Sequence, residues 1–257
     1  MNTNLLLHVA IIAFIAMAVG FIYQVKKKNA GIVDVIWAFG VMLASIYFAI
    51  RGSGTIEIRT LLAILSGLWF FRLGMHIFLR MLCEKEDGRY AHVRNLYGEK
   101  TNYFHALFFA FQAGLIVLFS LPMWFIAHHH EPSIIAMILA IILMTIAFIG
   151  EHQADHQLHL FRSDPDNKGK TCRQGLWKYS RHPNYFFEWI HWFAYPILAT
   201  GMNNGYYLWL APIAMFLFLW YITGIPFTEK QALKSRGDDY RHYQQTTSAF
   251  FPWPPKE

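Results

Sequence analysis

This sequence predicts an all-α fold, a polytopic membrane bundle of seven transmembrane helices with cytoplasmic loops, and three observations carry that prediction. Hydrophobic residues fill 55% of the 257 positions and charged residues only 15%, the balance of a chain whose main solvent is lipid. Seven apolar stretches have the length of about 20 residues that a helix needs to cross the hydrocarbon, where only a helix or a closed barrel satisfies its own backbone. Lys and Arg fall almost entirely in alternate loops.

The first stretch, Leu5 to Tyr23, has the apolar core of a signal peptide, but six more apolar stretches follow it. It reads as a retained span. The others run from Ile32 to Ile50, Leu61 to Leu79, Tyr103 to Ile126, Ser133 to Gly150, Tyr185 to Met202 and Tyr206 to Ile225. Nine Trp and thirteen Tyr supply rings with a polar tip, which suit the level of the lipid headgroups. No internal repeat, low-complexity tract or Ser/Gly linker divides the chain, so residues 1–257 are expected to form a single integral membrane domain.

Orientation follows from the cations, because Lys and Arg in short loops are retained on the cytoplasmic side. Of the 22 Lys and Arg, 19 fall in the loops after spans one, three, five and seven, Lys85 among them. The opposite side holds only Arg51 and Arg59, and Arg72 lies within span three. The N-terminus is therefore expected outside and the C-terminus in the cytoplasm. A net charge of +6 on such a chain marks cytoplasmic loops rather than a nucleic-acid partner. Cys83 and Cys172 both fall on that reducing side and read as free thiols.

Ionisable groups inside spans are costly, so Asp34, Arg72, His76, Glu188 and His191 are expected to face the bundle interior or a wet cavity. Arg72 and His76, at i and i+4, share a helix face and can pair with Asp34 or Glu188 as structural glue. The densest constellation runs from Glu151 to Glu188, where basic, acidic and aromatic residues alternate. Asp155 and Arg162 lie two helical turns apart, so both can point toward one ligand. A diphosphate needs Arg or Lys donors and a ribose needs a carboxylate, and both kinds of group are present. His152, His156 and His159 share a helical face, but no H-x-x-H-H occurs and the run His128 to His130 falls on the other side of the membrane. No metal site is read, and the triple histidine reads as a polar exterior loop. No G-x-G-x-x-G, Walker loop or G-x-S-x-G elbow occurs, so a nucleotide would be held by the bundle itself.

Gly175-Leu176-Trp177, Tyr179-Ser180-Arg181-His182-Pro183-Asn184-Tyr185 and Glu188 together resemble the C-terminal signature of the membrane steroid 5-alpha-reductase-like proteins. The likeness is to their bacterial, DUF1295-like branch of uncertain substrate, and it extends over most of the chain. It includes Asp34 and Trp37 in V-D-V-I-W, Trp69 with Arg72, Glu86-Asp87-Gly88-Arg89-Tyr90 with Arg94, and Asp155 with Arg162. Gly224-Ile225-Pro226 and Tyr240-x-x-Tyr243 before Phe251-Pro252 complete it. The resemblance implies an oxidoreductase of the bacterial inner membrane that binds NADPH from the cytoplasm and passes hydride to the polarised carbon-carbon double bond of a steroid-like or other lipid. The cofactor region would lie in spans three to seven and their loops. By motif position Asp155 and Arg162 are similar to the family's cofactor pair, Asn184 to the residue that holds the nicotinamide carboxamide, and Glu188 to the Glu one turn further. Lys170, Tyr179 and Tyr240 also fall on cofactor positions, as do Arg181 and His182 of the signature.

In such a reaction an acid stabilises the developing enolate, and Asp34 ranks first for that role, with Tyr90, Arg72 and His76 as competitors. The chain departs from the steroid enzymes in having Trp69 where they place a Tyr, Glu151 where Asn is common, and Phe187 in place of a Gly beside the cofactor. An S-adenosylmethionine-dependent membrane methyltransferase of the isoprenylcysteine carboxyl methyltransferase kind is the alternative. It shares Arg181-His182-Pro183-x-Tyr185 and a distal Glu229 before Gly237-x-x-Tyr240-x-x-Tyr243. Asp155 with Arg162 and the cationic loop favour the reductase. A non-catalytic lipid-binding or transport bundle is a third possibility, but its inverted repeats are not visible here.

Overall fold

The computed structural model describes residues 2–83, 86–222 and 224–256, so Lys85 of the charge count lies outside the described residues. Every regular element among these is helical. They form two compact units, Met1–Ser133 with Gly201–Asn203, and Ile134–Thr200 with Asn204–Glu257.

The first unit contains α1 (Asn4–Lys27), α2 (Ile32–Arg51), α3 (Ile56–Cys83), α4 (Gly88–Tyr97) and α5 (Thr101–Ile126). In lipid, apolar side chains gain little by leaving one apolar medium for another, so helix association depends on close packing. Small residues provide it. A Cβ on Gly20 of α1 would lie 2.3 Å from Ile36 Cδ1 of α2, and one on Gly74 of α3 would lie 3.0 Å from the Phe39 ring. Phe48, Trp69 and Phe70 are fully buried between these helices, whereas Leu7, Ile11 and Phe14 of α1 present an outer apolar face. Asp87 caps α4 by accepting the Arg89 N–H at 3.0 Å.

At one end of this unit the turn after α2 meets the turn after α5. Gly54 N donates to Ala127 O and Thr55 N to His129 O, each at 3.0 Å. The histidine run lies in the loop after α5 as expected, and within it His128 and His129 are only 7% and 3% exposed. Their ring and backbone groups find internal partners. His128 Nδ1 donates to the Trp124 carbonyl at 2.7 Å and its Nε2 accepts the Asn2 N–H at 3.4 Å.

The second unit opens with α6 (Ile134–Ser163), which continues 13 residues past the apolar end expected at Gly150 and so carries Glu151 to Arg162 on one continuous helix. Then follow α7 (Pro183–His191), α8 (Ala194–Leu198), α9 (Leu210–Leu217), a π turn at Phe218–Ile222, α10 (Ile225–Arg236) and α11 (Asp238–Thr246). The span expected from Tyr185 to Met202 is therefore not one helix. Pro196 lacks the N–H that would bond the carbonyl of Trp192, and a proline is tolerated in a first turn, so the chain turns at Trp192 and starts again at Ala194. Gly237, at φ +54°, makes the corner between α10 and α11.

Six helical stretches among the described residues are long and apolar enough to cross a membrane: Asn4–Lys27, Ile32–Arg51, Ile56–Cys83, Gly88–Ile126, Ile134–Ser163 and Gly205–Arg236. The protein is a polytopic, multi-pass all-α membrane bundle, with the segment α7–α8 as an interrupted apolar stretch besides these six.

Candidate functional site

Two polar clusters, one in each unit, contain several of the predicted residues. In the first unit, Asp34 stands in the first turn of α2, where the helix dipole favours a carboxylate. Its Oδ1 accepts the Tyr90 hydroxyl at 2.9 Å and its Oδ2 accepts Arg89 Nη2 at 3.0 Å. Arg89 also donates through Nε to Asp87 Oδ1 at 3.0 Å, and Arg80 Nη2 reaches Asp87 Oδ2 at 3.3 Å. Burial alone would raise the Asp87 carboxyl, but the hydrogen bonds and charge of Arg89 outweigh it and hold the group below the usual carboxylate range. Beside this chain runs a second one. Glu86 accepts the Ala30 N–H at 2.7 Å and Arg94 Nε at 2.8 Å, and Arg94 Nη2 donates to the fully buried Gln24 at 3.0 Å. A cavity of about 210 Å³ opens on Asp34, bordered by Asn29, Ile77, Arg80 and Asp87.

Of the three predicted catalytic residues the structure thus brings together Asp34 and Tyr90. Arg72 lies elsewhere on α3, with its guanidinium 5.4 Å from the centre of the Trp69 ring. The α3 cation that reaches the cluster is Arg80, eight residues on, and the decisive partner of Asp34 is Arg89. Neither was a candidate catalytic residue. The signal for Arg89 was present in Glu86-Asp87-Gly88-Arg89-Tyr90, where a helix cap places the side chains of Arg89 and Tyr90 at one helix start.

In the second unit, α6 holds the loop that leads into α7. Gln157 Oε1 accepts the Leu176 N–H at 2.9 Å, and Trp177 Nε1 donates to the Ala154 carbonyl at 2.9 Å. Gly175, at φ +56°, makes the turn, and a Cβ there would lie 2.4 Å from the Gln157 side chain. The loop delivers Asn184 to the first turn of α7, where its Nδ2 donates to Asp155 Oδ1 at 3.4 Å. Arg162 lies seven residues further along the same helix and is exposed, as is Lys170. Beyond them a second cavity of about 350 Å³ is bordered by Gln157, Phe161, Asp164, Asn167 and Gly175.

The other predicted cofactor residues divide by environment. Tyr179 is exposed, whereas Tyr240 is buried beside Tyr243, with the Arg236 guanidinium 5.1 Å from its ring centre. Burial, reinforced by the Glu229 carboxylate, keeps the Tyr240 hydroxyl protonated well above the ordinary phenol range. Glu188 Oε1 accepts Trp192 Nε1 at 3.3 Å. Arg181 Nε donates to Glu229 Oε1 at 2.7 Å, and His182, 2% exposed, lies 3.3 Å from the same oxygen. Burial pushes the His182 imidazole below its ordinary range, and Glu229 only partly offsets that. Phe187, which stands where the resemblance places a Gly, packs its ring on Gly150. A Cβ at Gly150 would be 2.3 Å from that ring, so the missing side chain has moved from α7 to α6.

A family model described as "Protein of unknown function (DUF1295)" matches residues 20–247. The chain belongs to the DUF1295 family. Among similar proteins, Uncharacterized protein C594.04c of Schizosaccharomyces pombe is 26% identical over 98% of this DUF1295 chain and 80% of its own length. Uncharacterized protein C9.08c of the same yeast is 29% identical over 38% of this chain and 43% of its own. Methanethiol S-methyltransferase 1 of Bradyrhizobium diazoefficiens is 32% identical over 78 residues, 30% of this chain and 25% of that enzyme. The DUF1295 chain thus spans less than half the length of these last two relatives.

Proposed function

We propose that this DUF1295 protein is a membrane reductase that takes hydride from NADPH and delivers it to the polarised carbon-carbon double bond of a lipid enone. The observation that carries the reading is Asn184 beside Asp155, on the helix that presents Arg162 two turns later. A carboxamide suits the amide of a nicotinamide, a carboxylate suits ribose hydroxyls, and the exposed Arg162 and Lys170 suit phosphate. NADPH, when bound, supplies the hydride. The reaction also requires an acid for the developing enolate, and within the first unit the candidate is Asp34 with Tyr90, whose hydroxyl donates to Asp34 Oδ1 while Arg89 donates to Oδ2. The charge asymmetry of the loops supports a cytoplasmic C-terminus and entry of the charged cofactor from that side.

The methyltransferase reading stays in view because of the 78-residue similarity to a methanethiol S-methyltransferase. One experiment separates the two. Membranes containing the protein are incubated with NADPH deuterated at the nicotinamide C4 and a panel of lipid enones, and in parallel with methyl-labelled S-adenosylmethionine and thiol or carboxylate acceptors. Deuterium on the β carbon of a saturated product is the expected result, and methyl transfer without deuterium transfer would replace the reductase by the methyltransferase. In the purified protein, Asn184→Ala and Arg162→Ala are each expected to weaken NADPH binding by about tenfold, read by titration.

A further inference from the structure

The loop that leads to Asn184 is held less by the helix it enters than by the end of the chain. Trp253 N donates to Tyr179 O, Ser180 Oγ to Phe250 O and Arg181 N to Ser248 O, each at 2.9 Å. These bonds pair ascending loop positions with descending tail positions. Arg181 adds side-chain bonds, through Nη1 to the carbonyls of Gln244 at 2.9 Å and Thr247 at 2.7 Å. Those carbonyls belong to the last turn and C-cap of α11, where helix carbonyls have no intrahelical partner and attract a cation. Glu229 of α10 closes the arrangement, taking Arg181 Nε on Oε1 and Gln244 Nε2 on Oε2, both at 2.7 Å. Tyr243 donates to the carbonyls of Trp177 and Ser180 from the other side. Phe250, 1% exposed, seats its ring 6.0 Å from Phe186 and 5.7 Å from Trp189, so the tail also braces α7 itself.

We propose that residues 244–253 form a strap that sets the conformation of loop 176–184, and that Arg181 and Glu229 are positioning residues fastening it rather than contacts to a nucleotide. The inference rests on the cofactor reading only for what the loop binds. An arginine that reads phosphate keeps its fork for the ligand. Arg181 instead directs Nε and Nη1 at protein acceptors, and a phosphate brought to it would meet the Glu229 carboxylate at the same guanidinium. A lysine, with one nitrogen, cannot span three acceptors on two helices, so a strap needs Arg where a simple phosphate contact would accept Lys.

The test uses the full chain in lipid nanodiscs, with Arg181→Lys, Glu229→Gln and Ser180→Ala. Hydrogen exchange of the amides in 176–184, measured without ligand, is expected to accelerate by about tenfold in Arg181→Lys and Glu229→Gln and less in Ser180→Ala, since each removes partners from the strap. NADPH affinity is expected to fall by about tenfold in both charged-pair variants. In turnover, KM for the nucleotide should rise while kcat holds within about twofold, whereas mere loss of folded enzyme would lower kcat alone. Unchanged exchange in both variants overturns the strap, whatever the nucleotide. Faster exchange with unchanged affinity overturns its link to binding. Affinity retained in Arg181→Lys and increased in Glu229→Gln makes Arg181 a direct contact. If the wild-type chain binds S-adenosylmethionine instead of NADPH, that ligand replaces it in the affinity arm, and the exchange arm still decides the strap.

Discussion

The two units solve the same solvent problem with different backbones. In the first, α1, α2, α3 and α5 run for 24, 20, 28 and 26 residues without interruption. In the second, only α6 does so, and the apolar sequence after it is divided into α7, α8, α9 and a π turn, of nine, five, eight and five residues. Interrupted helices leave backbone groups that must be satisfied locally, which lipid cannot do, so they persist where protein or a wet site surrounds them. The regular unit gathers Asp34, Glu86 and Asp87 at helix ends, each matched by an arginine. The irregular unit gathers its polar residues where loops and short helices meet. Regularity and chemistry are thus traded in opposite proportions, and substitutions aimed at each unit can break the contrast.

The largest effect is expected at Gly52. A Cβ there would lie 2.2 Å from the Ala127 carbonyl oxygen, and that is backbone, which cannot swing away as a side chain tip can. Gly52→Ala is expected to cost about 3 kcal/mol, seen as a lower unfolding midpoint in detergent. Gly114, in the middle of α5 with open space around its missing Cβ, is the control, and Gly114→Ala should be neutral or stabilising. Equal effects at the two sites would mean that the turn pairing 52–55 with 127–129 is not a rigid feature of the first unit.

The next effect separates the two carboxylates. Asp34→Ala removes the acceptor of the Tyr90 hydroxyl and one of the two carboxylates on Arg89, and is expected to lower stability by about 2 kcal/mol as well as abolish enone reduction. Asp155 meets Asn184 across a longer bond of 3.4 Å, so Asp155→Ala should weaken nucleotide binding and change stability by less than about 1 kcal/mol. Unfolding midpoints and NADPH titrations of the pair check both halves of the statement. A stable Asp34→Ala protein with full activity would remove the Tyr90–Asp34 pair from the chemistry.

The same contrast explains what was legible in the sequence. Length and apolar composition locate every long helix, because spanning lipid leaves few alternatives for about 20 consecutive apolar residues. Asp155 with Asn184 was also legible, since one helix and one motif carry them. The interruption at Trp192 was not read, although Pro196 marks it. Hydropathy counts residues rather than hydrogen-bond partners, and an apolar stretch scores alike whether its backbone is continuous or not. Arg89 as the partner of Asp34 lay 55 positions away in a separate helix start, a distance over which periodicity carries no information. The burial of His128 and His129 was not legible for a related reason. Polarity placed them in a loop but gave no sign that the carbonyl of Trp124 and the backbone of Thr55 take up their polar groups.

The smallest effect concerns pH, and outside the membrane-spanning helices each unit contains a histidine suited to it. Burial pushes both His128 and His182 below the ordinary imidazole range. The Trp124 carbonyl opposes that shift at His128 and Glu229 opposes it at His182. A group whose folded value is depressed contributes its stability in the neutral form. The contribution is therefore present above the unfolded value of about 6.5 and is lost as pH falls through the lower folded value. Acidification from about pH 7 to 5 is accordingly expected to loosen turn 52–55 in the first unit and loop 179–182 in the second, each by less than about 1 kcal/mol. Hydrogen exchange, corrected for the intrinsic pH dependence of the amides, reads the two places in one sample. His128→Asn keeps a donor for the Trp124 carbonyl and removes the titration, so it should flatten the response at 52–55 and leave the one at 179–182 in place. A response that disappears at both sites together would show that the acid transition belongs to the whole bundle and not to either histidine.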